Sequence, residues 1–127
     1  MTEASRTILV IDDEERVREL LLDFLSEYDE FELQGAGSGE EALEQLRMRP
    51  MDLCVVDLRL PGMNGARFIE EAAATGLCRR FIVHTGSVDF LLPPTLQKLG
   101  MVDEDIFYKP VNALAVVDRI RQRLNGG

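Results

Sequence analysis

Short apolar segments alternate with longer amphipathic segments along the whole chain. The short segments predict five strands, at residues 7–11, 31–34, 53–56, 80–85 and 105–108. Between most of them, apolar residues recur at spacings of three and four, as on one face of a helix. These helices are predicted at about 14–27, 38–48, 66–74 and 112–124. Strands that alternate with helices predict parallel βαβ units, with helices covering both faces of the sheet.

The segment from residue 87 to residue 101 departs from this regular pattern. Two consecutive prolines, Pro93 and Pro94, would disrupt the interior of a long helix, so a short helix beginning near Pro94, or a bent one, is expected. Apolar side chains cluster around the prolines at Leu91, Leu92, Leu96 and Leu99. They are consistent with ordinary core packing or with a remodelled surface for a partner or a second copy.

Size and composition indicate one domain, residues 1–127, with an ordered core of about 6–124. The net charge of −9 argues against direct binding of nucleic acid, and no apolar stretch has the length of a membrane helix. The first six residues lack the apolar core of a signal peptide. Cys54 and Cys78 are not at C-x-x-C spacing, which indicates buried thiols in a reducing compartment rather than a disulfide or metal site. A cytoplasmic protein is therefore expected.

Polar residues follow four of the predicted strands at the point where each strand ends. Asp12 and Asp13 follow the first strand, Asp57 follows the third, Thr85 ends the fourth, and Lys109 follows the fifth. In open α/β sheets, ligands bind outside the carboxyl ends of the strands. The sequence therefore predicts that three acids, a hydroxyl and an amine share one crevice.

These side-chain types suit the transfer of a phosphoryl group. Three carboxylates close together repel one another unless a cation lies between them, and an oxygen-only site suits Mg²⁺. Lys109 and Thr85 would bind phosphoryl oxygens, and Asp57 would be the nucleophile that forms an aspartyl phosphate. Two simpler interpretations stay open, namely that Asp13 only caps the first helix and that Asp57 is an ordinary turn residue.

The motifs together resemble the receiver domain of response regulators in two-component signalling, as in chemotaxis regulators. They are Asp12-Asp13, Asp57 with the following 60–65 segment Leu-Pro-Gly-Met-Asn-Gly, Thr85-Gly86 and Lys109-Pro110. The resemblance covers essentially the whole chain. It implies a flavodoxin-like, doubly wound α/β fold with five parallel strands in the order 2-1-3-4-5.

The same resemblance implies roles for the site residues. Asp57 would accept phosphate from a histidine kinase or a phosphotransfer protein. The ligands of Mg²⁺ would be Asp13, Asp57 and the backbone carbonyl of Arg59, with Asp12 assisting through water. Thr85 and Lys109 would bind the phosphoryl oxygens, and the Lys109–Pro110 peptide would be cis.

The chain also departs from the family pattern. Receivers commonly have an aromatic switch residue three positions before the lysine, where this chain has Ile106. Strand alternation argues against Tyr108 as a substitute and makes His84 a structural residue that points away from the site. Arg59 and Ser87 occupy positions that tend to tune phosphoryl lifetime in the family.

Three classes of function follow. The main expectation is a phosphoacceptor module, not an enzyme apart from its own phosphoryl transfer and slow dephosphorylation. Its partner surface would change on phosphorylation, with a homodimer possible through the fourth and fifth helices. The alternatives are an interaction module independent of phosphorylation and an aspartate-nucleophile phosphatase. The phosphatase is disfavoured because Arg59 stands where its general acid would be, and because a cap domain is missing. Whether an output domain is fused to the chain stays open.

Overall fold

The computed structural model of the protein describes residues 5–126, in which strands and helices alternate. The strands are β1 (Arg6–Ile11), β2 (Phe31–Ala36), β3 (Leu53–Val56), β4 (Phe81–Thr85) and β5 (Ile106–Tyr108). The helices are α1 (Glu15–Leu25), α2 (Gly39–Met48), α3 (Gly65–Thr75), α4 (Pro94–Gln97) and α5 (Ala113–Gly126). A single 3-10 turn (Asp103–Asp105) precedes β5.

All strand pairs are parallel, and the order in the sheet is β2-β1-β3-β4-β5. The predicted doubly wound, flavodoxin-like fold is therefore confirmed. Residues 1–4 and residue 127 lie outside the described part of the chain. The predicted start of the domain falls there, as do four of the six N-terminal residues that lack the apolar core of a signal peptide.

Alternation along the central strands divides the core into two layers. In β1, Leu9 and Ile11 pack on the side of α2, α3 and α4, whereas Ile8 and Val10 pack on the side of α1 and α5. The four residues of β3 are all buried, as expected for a central strand covered on both faces. Within residues 5–126, none of the helices combines the length and the hydrophobicity needed to span a membrane.

The helix ends follow local chemistry that the sequence predicted in most places. The hydroxyl of Ser38 accepts a hydrogen bond from the backbone N–H of Glu41 at the start of α2. The carboxylate of Glu41 accepts from the N–H of Gly37, one residue before the position that a capping box requires. Gly76 ends α3 in the left-handed conformation, as predicted.

The fourth helix is the short one that the two prolines predicted. It has four residues and begins at Pro94, where proline is compatible with the first helical turn. Leu92 and Leu96 are buried in the core, whereas Leu91 is 86% exposed and Leu99 is 37% exposed. The expected core packing is therefore confirmed for Leu92 and Leu96, whereas a partner surface at the two exposed leucines stays a prediction.

The sheet order makes β1 and β3 neighbours, so the acids that follow them meet at one edge. The N–H of Asp57 donates to the carbonyl of Ile11, and the N–H of Asp12 donates to the carbonyl of Ala36. The start of α3 passes close to this edge at Gly65. A Cβ atom there would lie 2.3 Å from the carbonyl oxygen of Asp57. Only glycine can keep this close approach.

We predict that Gly65→Ala lowers the free energy of unfolding by about 1–3 kcal/mol, because the added methyl group forces the Asp57 backbone or α3 to move. Urea denaturation monitored by circular dichroism measures the change. Gly86→Ala is the matched control, since a Cβ atom at Gly86 meets nothing within 4 Å. Equal stabilities of the two variants would contradict the close packing of α3 on this edge.

Candidate functional site

Three acids from two neighbouring strand ends form the centre of the site. One carboxylate oxygen from each of Asp12, Asp13 and Asp57 lies within 4.8 Å of the others. Asp12 and Asp57 are 2% and 4% exposed, whereas Asp13 is exposed to solvent. The sequence prediction that these acids converge is therefore realised in the fold. Such a cluster carries a strong mutual repulsion.

The ammonium group of Lys109 partly balances this charge. Its Nζ atom donates to Asp12 Oδ2 at 2.8 Å and to Asp57 Oδ2 at 3.2 Å. Lys109 follows β5, and its backbone N–H donates to the carbonyl of Thr85 at 2.7 Å. The Lys109–Pro110 peptide bond is cis, as predicted. One lysine thus bridges two buried carboxylates that come from different strands.

The surroundings shift the pKa values of both partners in this bridge. Burial raises the pKa of Asp57, and the negative charge of Asp12 adds to this effect. The backbone N–H of Arg59 and the Lys109 ammonium act in the opposite direction without cancelling it. Burial alone would lower the pKa of Lys109, but its bonds to Asp12 and Asp57 outweigh burial and raise it. Lys109 therefore stays charged at neutral pH.

The donor set at this edge fits a hard divalent cation. Carboxylate oxygens are the ligands that Mg²⁺ prefers, and one or two of them usually suffice. The acids open into a pocket of about 270 Å³, which is lined by Asp13, Glu14, Asp57, Arg59, Gly86 and Lys109. One oxygen of Asp12 and one of Asp57 each accept a backbone N–H, from Glu14 and Arg59 respectively. These bonds fix the carboxylates and leave the cluster open to solvent on one side.

Thr85 and Ser87 lie beside the pocket at the end of β4. Thr85 is fully buried, and its hydroxyl oxygen accepts a hydrogen bond from the N–H of Ser87 at 3.0 Å. The side chain of Arg59 donates to the Ser87 hydroxyl at 2.6 Å. Arg59 and Ser87, which the sequence placed at the rim, are thus joined by a direct bond that sequence reasoning did not predict.

The structure adds two charged residues to the site that sequence reasoning missed. A carboxylate oxygen of Glu14 lies 3.8 Å from Lys109 Nζ, and the guanidinium of Arg18 donates to the carbonyl of Asp12 at 2.7 Å. Glu14 directly follows Asp13 in the chain, and Arg18 lies in the first turn of α1. Their spacing from the acids was the available signal, since a helix that starts beside the site brings its first turns near it.

His84 lies on the side of the sheet that α1 and α5 cover, and its role as a structural residue stays a prediction. It is 7% exposed and lines an apolar pocket of about 480 Å³ between α1 and α5, together with Lys109 and Pro110. Burial lowers the pKa of His84 to about 4, and the charge of Lys109 adds to this shift. His84 is therefore neutral at pH 7.

Comparison with known proteins explains this combination of fold and residues. The model of the response regulator receiver domain matches residues 8–121. The chain belongs to this family. This receiver domain is 32% identical over 120 residues to the response regulator GtcR of Aneurinibacillus migulanus, a match that covers 94% of the chain and 48% of the relative.

A solved structure of similar shape contains a bound ion. Response regulator TrrA from Thermotoga maritima, in complex with Mg²⁺-BeF, has a TM-score of 0.80 and 28% identity. The superposition covers 94% of this chain and 99% of TrrA. Receiver domains of this family interact with histidine kinases or phosphotransfer partners, and this chain shares their fold.

The expectation that the protein is not an enzyme is wrong, because the chain is similar to part of several enzymes. The chain is 32% identical over 108 residues to a protein-glutamate methylesterase/protein-glutamine glutaminase of Syntrophomonas wolfei, covering 72% of the chain and 31% of that protein. Relatives in Nocardioides and Bacillus subtilis have the same name. The receiver residues alone therefore do not rule out an enzyme, because the same domain occurs within enzymes.

We predict that Lys109→Met lowers the free energy of unfolding at pH 7 by about 1–3 kcal/mol, because two buried carboxylates lose their charged donor. Urea denaturation in a chelating buffer measures the change, and added Mg²⁺ should stabilise the variant more than the wild type. Lys98→Met is the matched control, since Lys98 is the only other lysine and is exposed. Unchanged stability of Lys109→Met would show that the bridge carries no net energy.

We also predict that His84, the single histidine, titrates near pH 4 rather than near 6.5. Because the unfolded chain binds this proton more tightly than the folded chain, the stability contributed by neutral His84 is complete above pH 6.5. It is lost as the pH falls towards 4, by at most about 3 kcal/mol. The proton NMR signal of the imidazole ring measures the pKa directly. A midpoint near 6.5 would contradict the burial of the ring.

Proposed function

We propose that this receiver domain is a phosphoacceptor, in which Asp57 takes a phosphoryl group from a histidine kinase or phosphotransfer protein. The observation that carries the proposal is the position of Asp57. Its carboxylate is held 3.2 Å from the Lys109 ammonium and within reach of Asp12 and Asp13. A carboxylate held beside a fixed cation is suited to forming an aspartyl phosphate.

In the proposed reaction, a carboxylate oxygen of Asp57 attacks the phosphorus atom of the donor. A P–O bond forms, the bond from phosphorus to the donor's leaving atom breaks, and the electron pair leaves with that atom. Lys109 Nζ donates to Asp57 Oδ2, so the ammonium charge would neutralise part of the charge of the transferred group. Catalysis of this kind depends on positioning and charge rather than on covalent steps by other residues.

A metal site and the hydroxyl of Thr85 would complete the phosphoacceptor site. We propose that Asp13, Asp57 and the backbone carbonyl of Arg59 hold Mg²⁺, with Asp12 acting through water. When bound, Mg²⁺ would offset the charge of the acids and of the phosphoryl oxygens. The hydroxyl of Thr85 accepts the N–H of Ser87, so its own hydrogen would be available to a phosphoryl oxygen.

The surface beside Lys109 supports docking of a phosphodonor protein. The apolar pocket between α1 and α5 borders Lys109 and Pro110 and is lined by Leu20 and Phe24. Leu20 is 63% exposed, and Leu114 on α5 is 56% exposed. Exposed apolar side chains next to a reactive group mark a place where a protein partner can bury them.

The opposite side of the domain supports an altered output surface. Ile106, which occupies the position of the family's aromatic switch residue, is half-buried. Leu91 and Val88, near the short α4, are largely exposed. We propose that phosphorylation changes this face, which serves a downstream partner or a second copy of the chain. The short α4 also favours the alternative of an interaction module that does not need phosphorylation.

The proposal also covers the extent of the domain, its kind of partner and its location in the cell. Residues 1–127 would form one receiver domain, which the family match over residues 8–121 supports. The chain spans 48% and 31% of the two relatives described, so the activity and partners of the whole protein would depend on more than this domain. A net charge of −9 favours protein partners over nucleic acid. The family favours a cytoplasmic location.

The proposal predicts that acetyl phosphate with Mg²⁺ adds the mass of one phosphoryl group, and that beryllium fluoride binds in its place. Intact mass spectrometry and ¹⁹F NMR measure the two effects. Both should be lost in Asp57→Asn or after chelation of Mg²⁺. Asp103→Asn, at an exposed acid before β5, is the matched control and should behave as the wild type.

A folded wild-type protein that neither gains the phosphoryl group nor binds beryllium fluoride would refute the phosphoacceptor role. The interaction module would then be the better account. The Asp57→Asn variant also distinguishes the phosphoacceptor from the interaction module. Partner binding that survives this substitution does not depend on phosphorylation.

A further inference from the structure

Two buried thiols lie in direct contact in the core, away from the phosphoacceptor residues. The sulfur atoms of Cys54 and Cys78 are 3.1 Å apart, although 24 residues separate them in the chain. Both cysteines are free thiols, and they are 0% and 1% exposed. A covalent S–S bond is about 2 Å long. The two sulfur atoms therefore need to approach by only about 1 Å to bond.

The backbone around the thiols holds them in this arrangement. Cys54 lies in the middle of β3, and its N–H donates to the carbonyl of Arg80, directly before β4. Cys78 lies in the connection between α3 and β4, and its thiol contacts the same Arg80 carbonyl at 3.4 Å. The pair thus joins a central strand to the connection that leads into the next strand.

We propose that Cys54 and Cys78 form a reversible disulfide when the protein meets a low-molecular-weight disulfide such as oxidised glutathione. In the first step, the Cys78 thiolate attacks one sulfur of the reagent, forming a mixed disulfide and releasing one small thiol. In the second step, Cys54 attacks the Cys78 sulfur and releases the second small thiol. Two protein thiols give up two electrons and two protons, and the reagent is reduced to two thiols.

Access favours Cys78 as the thiol that reacts first. In the connection, Gly76 and Arg79 are exposed and Leu77 is partly exposed. Only a local displacement of this connection is needed to bring the Cys78 thiol to solvent. Cys54 lies within the sheet, and burial raises the pKa of its thiol. Oxidation in the native state is therefore gated by opening of the connection and is slower than at an exposed thiol.

The bond would stabilise the domain against unfolding. It closes a loop of 24 residues in the unfolded chain, which removes conformational entropy from that state. The cross-link lies within the core layer formed with α2 and α3.

This inference does not rest on the phosphoacceptor role, since neither cysteine touches Asp57 or Lys109 in the described contacts.

The test treats the full chain with oxidised glutathione under native conditions and follows it by intact mass. The wild type should lose the mass of two hydrogen atoms, and the number of titratable thiols should decrease from two to zero. Its urea midpoint should then rise, and dithiothreitol should reverse both changes. Circular dichroism before and after oxidation checks that the fold is retained.

Single variants serve as matched controls, since each keeps one thiol. Cys54→Ala should gain the mass of one glutathione on Cys78 and should show no rise of the urea midpoint. Cys78→Ala should react more slowly, because Cys54 lies within β3. Three outcomes would overturn the proposal: glutathione adducts on both wild-type cysteines, disulfide-linked dimers, or thiols that stay free until the wild type unfolds. If an alanine variant fails to fold, thiol mapping of the oxidised wild type by proteolysis still decides, because the Cys54–Cys78 peptide pair must be found.

Discussion

The site of this receiver domain depends on the balance of charge between two buried carboxylates and one ammonium group. Asp12 and Asp57 would repel each other at the adjacent ends of β1 and β3 without the Lys109 ammonium at 2.8 and 3.2 Å. The parallel order of the sheet brings these three strand ends to one edge. The close approach of Gly65 to the Asp57 carbonyl and the bond from Arg18 to the Asp12 carbonyl hold the acids there. The remaining repulsion makes the site receptive to a cation.

Most of the fold and the centre of the site could be predicted because both depend on local patterns. Apolar runs gave the strands, and polar residues at their ends gave Asp12, Asp13, Asp57 and Lys109. The contact between Cys54 and Cys78 could not be predicted, because it depends on how the connection after α3 turns into β4. The bond between Arg59 and Ser87 depends in the same way on the conformations of two loops. Long-range side-chain pairs of this kind leave no periodic signal in a sequence.

The domain combines an acidic site with a short fourth helix and an aliphatic residue at position 106. The two prolines reduce α4 to four residues, and Ile106 replaces the expected aromatic side chain. The segment after β4 carries both Ser87, whose hydroxyl accepts a hydrogen bond from Arg59, and the exposed Leu91. Relatives that carry the same domain type include a transcriptional regulatory protein and methylesterases, so the domain type alone does not identify what this domain controls.

The most direct test of the account identifies the phosphorylated residue chemically. The protein is treated with acetyl phosphate and Mg²⁺, reduced with borohydride, which converts an aspartyl phosphate to homoserine, and mapped by peptide mass spectrometry. The account predicts homoserine at position 57 alone, and only when Mg²⁺ is present. Homoserine at position 12 or 13, or modification that does not depend on Mg²⁺, would contradict the assignment of Asp57 as the acceptor held by Lys109.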